Sequence, residues 1–229
     1  MQTPLISIII PVYQEADIIL ETLDTIENLN HRSNTEIILV DGDPQGSTIC
    51  RVKNYPVRTI TAPKGRASQM NAGARLAGGE ILLFLHADTC LPKDGLKRIG
   101  DSLKNRNISA GAFDLGIQAD GFAFRLIEQM VFWRSRITRI PYGDQAIFIR
   151  HSIFNALGGY RQIPIMEDID LIKRVKRAGG RIAIIDSQIW TSARRWEKEG
   201  IIACTLRNWL LSSAFYLGVT PEKLQKFYH

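Results

Sequence analysis

The strongest constraint on this chain is a series of short apolar runs, three of them followed closely by an acid. Leu5 to Val12 (LISIIIPV) is rich in β-branched residues and carries no charge, which predicts a strand buried on both faces. Glu36 to Val40 is a second buried run, Val57 to Thr61 a weaker third and Glu80 to Leu85 a fourth. Helical spacing separates them: Ile19, Leu23 and Ile26 first, then the segments Ala67 to Leu76 and Pro92 to Leu103. This alternation predicts an α/β chain with a Rossmann-like, mostly parallel central sheet flanked by helices. Such sheets bind ligands outside the carboxyl ends of their strands. Glu15 follows the first strand, Asp41 ends the second, and Asp88 lies past the fourth. Three acids from distant parts of the chain therefore converge on one rim.

The second half reads differently. Ser109 to Ile117, Gln145 to Arg150 and Arg181 to Ile185 are expected strands. Phe122 to Arg136 is an expected helix with aromatic and basic faces. Asp168 to Ala178 is another, stopped by Gly179-Gly180. Ile201 to Val219 is apolar but interrupted by Arg207, Asn208 and two serines. It reads as an amphipathic helix packed on the domain, with membrane-surface or partner contact as its functional alternative. The chain is read as one domain, 1–229. Residues 1–105 form a nucleotide-binding half, and residues 106–229 an acceptor half with C-terminal helices.

Composition narrows the function. The 229 residues are 45% apolar and carry a formal charge of +6. That surplus suits an anionic substrate or an anionic membrane surface. No basic stripe with interleaved aromatics appears, so nucleic acid is not an expected partner. Cys50, Cys90 and Cys204 are sparse, odd in number and without metal-type pairing, which fits a reducing compartment. No secretory signal and no apolar window of about 18 residues is seen. The expected location is cytoplasmic, with contact at the inner face of a membrane as the alternative just given.

The motifs carry the chemistry. In SIIIPVYQEAD, Pro11 ends the strand, and Tyr13 and Glu15 are placed to meet a base and a ribose. Glu15 alone also fits a residue favouring a helix dipole. In VDGDPQGST, Asp41 leaves its strand into a tight turn, where it can accept an imide N–H or a ribose hydroxyl. Ser47 or Thr48 is expected to cap a following helix. Gly65 and Arg66 open a helix whose Ala67, Ala72, Gly73 and Ala74 allow close packing on the sheet. Arg66 there is a phosphate or base contact, or else a solvated surface arginine. His86-Ala87-Asp88 ends the most apolar strand. A carboxylate at that place suits a hard cation beside phosphates.

These residues resemble the family 2 glycosyltransferases with the GT-A fold. The strand-exit acids, Lys64-Gly65-Arg66 with Asn71-Ala72-Gly73, and Asp88 carry the likeness, which spans almost the whole chain. It is nearest to a bacterial subgroup that has FLHADT in place of Asp-x-Asp, with His86 at the first aspartate. PYGDQAIF, Gly158-Gly159-Tyr160 and Glu167-Asp168 resemble the acceptor half of the same family. Arg194-Arg195-Trp196 resembles its Arg-Trp element, but Ser192 stands where the fuller pattern has glutamine, so processivity is not inferred.

The resemblance implies a nucleoside diphosphate sugar donor, with UDP favoured, and Mn²⁺ or Mg²⁺ as cofactor. It implies donor contacts from Pro11, Tyr13, Glu15, Asp41, Arg66, Asn71, Ala87, Asp88 and Arg195, with Asp88 and His86 toward the metal. Asp144, Gln145 and Trp196 are implied to meet the acceptor, which is lipid-linked or a small molecule. Asp168, with Glu167 beside it, is implied to be the general base of an inverting transfer. The bland reading of those two acids is that they favour a helix N-terminus. Two rival enzymes fit less well. A nucleotidyltransferase wants a Gly-rich loop with a lysine after the first strand, and a Rossmann dehydrogenase wants Gly-x-Gly-x-x-Gly there; PVYQEAD is neither. A chemically inactive domain that binds a sugar nucleotide or a partner is the remaining alternative.

Overall fold

β1 (Ile6–Val12) is buried along its whole length. Its Ile8, Ile10 and Val12 join one apolar cluster while Ile9 joins another. A strand apolar on both faces needs cover on both sides. In the computed structural model, which describes residues 6–228, helices supply it. Leu5, the first residue of the expected strand, lies outside the described residues.

The other strands are β2 (Thr35–Asp41), β3 (Arg58–Thr61), β4 (Ile81–Phe84), β5 (Thr89–Cys90), β6 (Ile108–Gln118), β7 (Phe148–Arg150) and β8 (Arg181–Ser192). The helices are α1 (Ile19–Glu27), α2 (Arg66–Leu76), α3 (Gly95–Lys104), α4 (Phe122–Thr138), α5 (His151–Ala156), α6 (Glu167–Arg177), α7 (Arg194–Glu199), α8 (Ile201–Tyr216) and α9 (Pro221–Gln225). α1, α3 and α4 bury their apolar sides on one face of the sheet, and α2, α5 and α6 on the other. Gly73 brings α2 close to the sheet, since a Cβ there would lie 2.5 Å from Cγ2 of Ile9.

The strands form one eight-stranded sheet in the order β3-β2-β1-β4-β7-β6-β8-β5. β1, β2, β3 and β4 run parallel, as do β6 and β8. β7 runs against both neighbours and β5 against β8. The sheet is thus mostly parallel, as expected. β7 matters for the site: because it is reversed, its entry lies at the rim where β1, β2 and β4 end. Gly143 and Asp144 reach that rim for this reason.

Four local readings need correction. The strand expected from Gln145 begins only at Phe148, because Gln145 closes a 3₁₀ turn and Ala146 is left-handed at φ 52°. The strand expected to end at Ile185 runs to Ser192. Pairing with β6 steps from Phe113–Ile185 to Asp114–Gln188, so the polar Asp186 and Ser187 form a bulge inside the strand and not its end. Thr48 caps no helix; its Oγ1 accepts the Glu15 N–H at 3.1 Å. Finally, α8 packs only part of its apolar surface on the domain, with Leu211 and Phe215 against the core. Its Cys204, Leu211 and Ser212 are buried, while Ile202, Leu206, Trp209 and Leu210 face outward. No described helix is long and apolar enough to cross a membrane.

Candidate active site

Two adjoining cavities open at the rim, of about 580 Å³ and 500 Å³. Pro11, Tyr13, Glu15, Gln69 and Ala87 line the first. Tyr142, Asp144, Glu167, Asp168, Trp196 and Asn208 are on the wall of the second. Arg66, His86, Asp88, Arg195 and Glu199 belong to both, so the two are halves of one cleft.

The first cavity is built on strand exits. Tyr13 is partly exposed, with the Lys64 ammonium 3.8 Å above its ring. Burial holds the Glu15 carboxyl above the usual carboxylate range, and the nearby Asp88 adds to the effect. Asp88 meets one cation, Arg194, at 3.8 Å, and Arg194 lies 3.9 Å from Glu15. Asp41 is fully buried. Its oxygens accept N–H bonds from Asp43, Thr48 and Ile49 at 2.9, 2.9 and 3.3 Å, so it holds the loop that shapes the cavity. Asn71 lies on neither cavity wall; its amide exchanges a pair of hydrogen bonds with the Tyr160 backbone, clamping α2 to the Gly159 turn.

At the junction, desolvation and then the Arg66 charge lower His86 to about 3. Its imidazole is therefore neutral throughout the physiological range. A side chain at Gly143 would come within 3.3 Å of His86 Nε2 and 3.4 Å of Asp168 Oδ2. Glycine there lets an imidazole and a carboxylate approach the same stretch of backbone. Crowding around Arg66 opposes its charge, but Tyr228, Glu167, Asp168 and Asp144 outweigh that and hold it firmly protonated.

The second cavity is set by the start of α6. Met166, left-handed at φ 65°, turns the chain into the helix. The first turn carries Glu167, Asp168 and Asp170, and the last Arg174, Lys176 and Arg177. That polarity suits the helix dipole, and Asp170 is fully accounted for by ion pairs to Arg174 and Arg161. Asp168 does something else. Its Oδ2 accepts the Gly143 N–H at 2.5 Å across the cavity, and its Oδ1 accepts the Ile169 N–H at 2.7 Å. A carboxylate has about four lone-pair sites, so acceptor capacity remains. Asp144 Oδ1 is buried without a hydrogen-bond partner among the described residues, and burial pushes its carboxyl up. Gln145 lies beneath the cavity, fully buried. Its amide donates to Phe113 O and accepts from Ser135 and Tyr142. Trp196 packs edge-on against Phe124 with centroids 6.3 Å apart, and its Nε1 donates to Thr205 at 3.2 Å.

Glu167 is 5% exposed. Burial, then the neighbouring Asp168, raise its carboxyl to about 7. The sign follows from linkage: an acid raised above its unfolded value favours the folded state most when protonated. Stability is therefore expected to fall as pH rises from about 4.5 toward 7, by on the order of 2–3 kcal/mol. Glu167→Gln should flatten that slope in thermal melts run across the same pH range. An unchanged slope would place the titrating group elsewhere.

The structure thus brings Pro11, Tyr13, Glu15, Arg66, His86, Ala87, Asp88, Asp144, Glu167, Asp168, Arg195 and Trp196 to one cleft, and leaves Asp41, Asn71 and Gln145 as its supports. Sequence reasoning missed Gln69, whose amide donates to Val12 O and Val40 O and ties the ends of β1 and β2. It also missed Glu199, which pairs with Arg195 and Arg207, and Tyr228, whose ring lies 4.4 Å from the Arg195 guanidinium. No local motif announced these three. Among the described residues no group of three or more His, Cys, Asp or Glu gathers to hold a metal. A hard cation here fits the accessible Asp88 carboxylate with a second donor from a ligand. Neutral His86 suits Mn²⁺ better than Mg²⁺.

A mostly parallel sheet that brings acids and arginines to one rim defines an α/β fold with a ligand cleft outside its strand ends. The chain aligns over its whole length with the mannosyltransferase PcManGT from Pyrobaculum calidifontis, solved with GDP-Man and Mn²⁺, at a TM-score of 0.70, 19% identity and 69% of that chain. It also aligns with S. aureus TarS, solved with UDP-GlcNAc, at a TM-score of 0.63 and 15% identity, covering 82% of this chain and 58% of that one. These likenesses establish the GT-A fold. Residues 7–162 match glycosyl transferase family 2, and the chain belongs to that family. Among curated relatives, the probable glycosyltransferase YdaM of Bacillus subtilis is 27% identical over 223 residues, which is 86% of this chain and 51% of YdaM. The chain therefore spans about half of that relative's length.

Proposed function

We propose that the protein moves a sugar from a nucleoside diphosphate sugar, UDP-linked by preference, to an acceptor hydroxyl with inversion. Residues 1–105 supply most of the donor site and residues 106–229 the acceptor site. The observation that carries the reading is the joint cleft, in which Asp168 faces one cavity, Asp88 belongs to both, and Arg66 and Arg195 sit at their junction. Tyr13 offers a ring to the base, and Glu15 an acceptor for base or ribose hydroxyls. Arg66 and Arg195 are placed to hold diphosphate oxygens, which a guanidinium fork grips bidentately. Asp168 takes the proton of the acceptor hydroxyl, while the Gly143 N–H fixes its orientation. Asp144 accepts a second hydrogen bond from the acceptor, lipid-linked or small, and Trp196 walls it. Mn²⁺ or Mg²⁺ held by Asp88, with His86 as a second donor, would neutralise charge on the leaving diphosphate.

Calorimetry with UDP and GDP, with and without Mn²⁺, tests the donor half. Micromolar, Mn²⁺-dependent binding of UDP is expected, and Asp88→Ala should abolish the metal dependence. Preference for GDP would change the base assignment only. Absence of binding to either nucleotide would favour a domain that keeps the fold without the donor chemistry.

A further inference from the structure

α8 leaves more apolar surface uncovered than a helix packed on a domain ordinarily does. Ile202, Leu206, Trp209, Leu210 and Leu217 fall at i, i+4, i+7, i+8 and i+15, on one stripe, and are 43–86% exposed. Its Cys204, Asn208 and Ser212, at i, i+4 and i+8, line the second cavity instead. A surface helix ordinarily turns its apolar stripe to the core. α4 repeats the anomaly: Phe122, Leu126, Trp133 and Ile137, at i, i+4, i+11 and i+15, are 48–83% exposed, although its opposite face is already buried on the sheet.

The two helices belong to one side of the molecule. Trp196 joins them near their starts, touching Phe124 of α4 and donating to Thr205 of α8. Tyr142, just past α4, lies close enough to Tyr216 at the end of α8 to add to the rise that burial gives that phenol's pKa. Charge is concentrated on the same segments. Residues 122–142 and 194–229 hold ten lysines and arginines against four acids, and so the whole +6 surplus of the chain. Arg136 is neutralised by Asp114 and Asp186. Arg139, Lys223 and Lys226 are exposed and form no ion pair among the described residues.

We infer that the α4–α8 face docks on an anionic lipid bilayer, with the outward stripes in the interface and the unpaired cations against the headgroups. Apolar stripes flanked by lysine and arginine, with tryptophan among them, are what an interfacial helix requires, and each cation near an anionic leaflet adds about fivefold in binding. A second copy of the chain fits worse, because a two-fold contact would set this face against itself and bring its surplus positive charge together.

Co-sedimentation of the full chain with vesicles tests this, using phosphatidylcholine alone and with phosphatidylglycerol added. Binding to the anionic vesicles that weakens with salt is expected. Leu206→Glu combined with Trp209→Glu should lower it by about tenfold or more. Both side chains are exposed, so the core is untouched. Lys223→Glu combined with Lys226→Glu keeps the apolar stripe and should weaken binding to the anionic vesicles in particular. A chain that stays in the supernatant with either vesicle overturns the inference. So does a dimer in light scattering that the Leu206/Trp209 variant abolishes while vesicles bind nothing. Nucleotide binding, measured on the same samples, should be unchanged in both variants. Vesicle binding by a chain that binds no nucleotide would sustain this inference and remove the donor reading.

Discussion

Asp168→Asn is expected to lower turnover by about 10²–10⁴-fold, the range ascribed to a positioned general base, while nucleotide affinity stays at the wild-type value. The reason lies in what the substitution keeps. Asparagine has nearly the same shape, and its one amide oxygen can keep the Gly143 N–H bond, giving up only the Ile169 N–H that the second carboxylate oxygen accepts. What it loses is the ability to take a proton near neutral pH. Single-turnover rates with a labelled donor, beside calorimetric nucleotide affinity, separate the two. Glu167→Gln is the control, since Glu167 lies in the same cavity one residue away. A silent Asp168→Asn with a dead Glu167→Gln would exchange their roles. Loss of nucleotide affinity in Asp168→Asn would make Asp168 a support of the donor site.

What the sequence disclosed follows from the range of the forces involved. β1, β2 and β4 were legible because burial on both faces forces apolar runs, as in Ile6–Val12 and Ile81–Phe84, whereas the exposed edge strand β3 left only a weak trace. The rim acids were legible because strand ends are local features. The supports were not. Asp41 reads as a ligand contact in sequence, yet its oxygens serve its own loop; backbone N–H groups carry no sequence signature. Gln145 looked like a cleft residue because the turn beside it reaches the cleft, but its side chain points back to Phe113. The bulge at Asp186–Ser187 hid the second half of β8, since two polar residues look like a strand's end. Tyr228 arrives at Arg195 from 33 residues away, a distance no local pattern spans. α8 is the instructive case. Its mixed pattern announced an amphipathic helix, but which side meets the protein depends on the cavity it closes.

Arg66→Met is expected to weaken nucleotide binding by roughly a hundredfold, within the range for removing one partner of a buried charge contact. It should also move two titrations in a direction that a merely steric change would not. Arg66 belongs to both cavities, and its charge depresses both His86 and Glu167. Without it, the His86 midpoint should rise from about 3 but remain below 6.5, because desolvation is the larger cause and persists. Glu167 should move above about 7. Since that acid stabilises the fold when protonated, the decline in stability, still beginning near 4.5, should extend to higher pH in the variant. Imidazole NMR reads the first change and thermal melts read the second. Weakened nucleotide binding with both titrations unmoved would mean that Arg66 meets the donor but lies electrically apart from the acids, and the cleft would then be two sites rather than one.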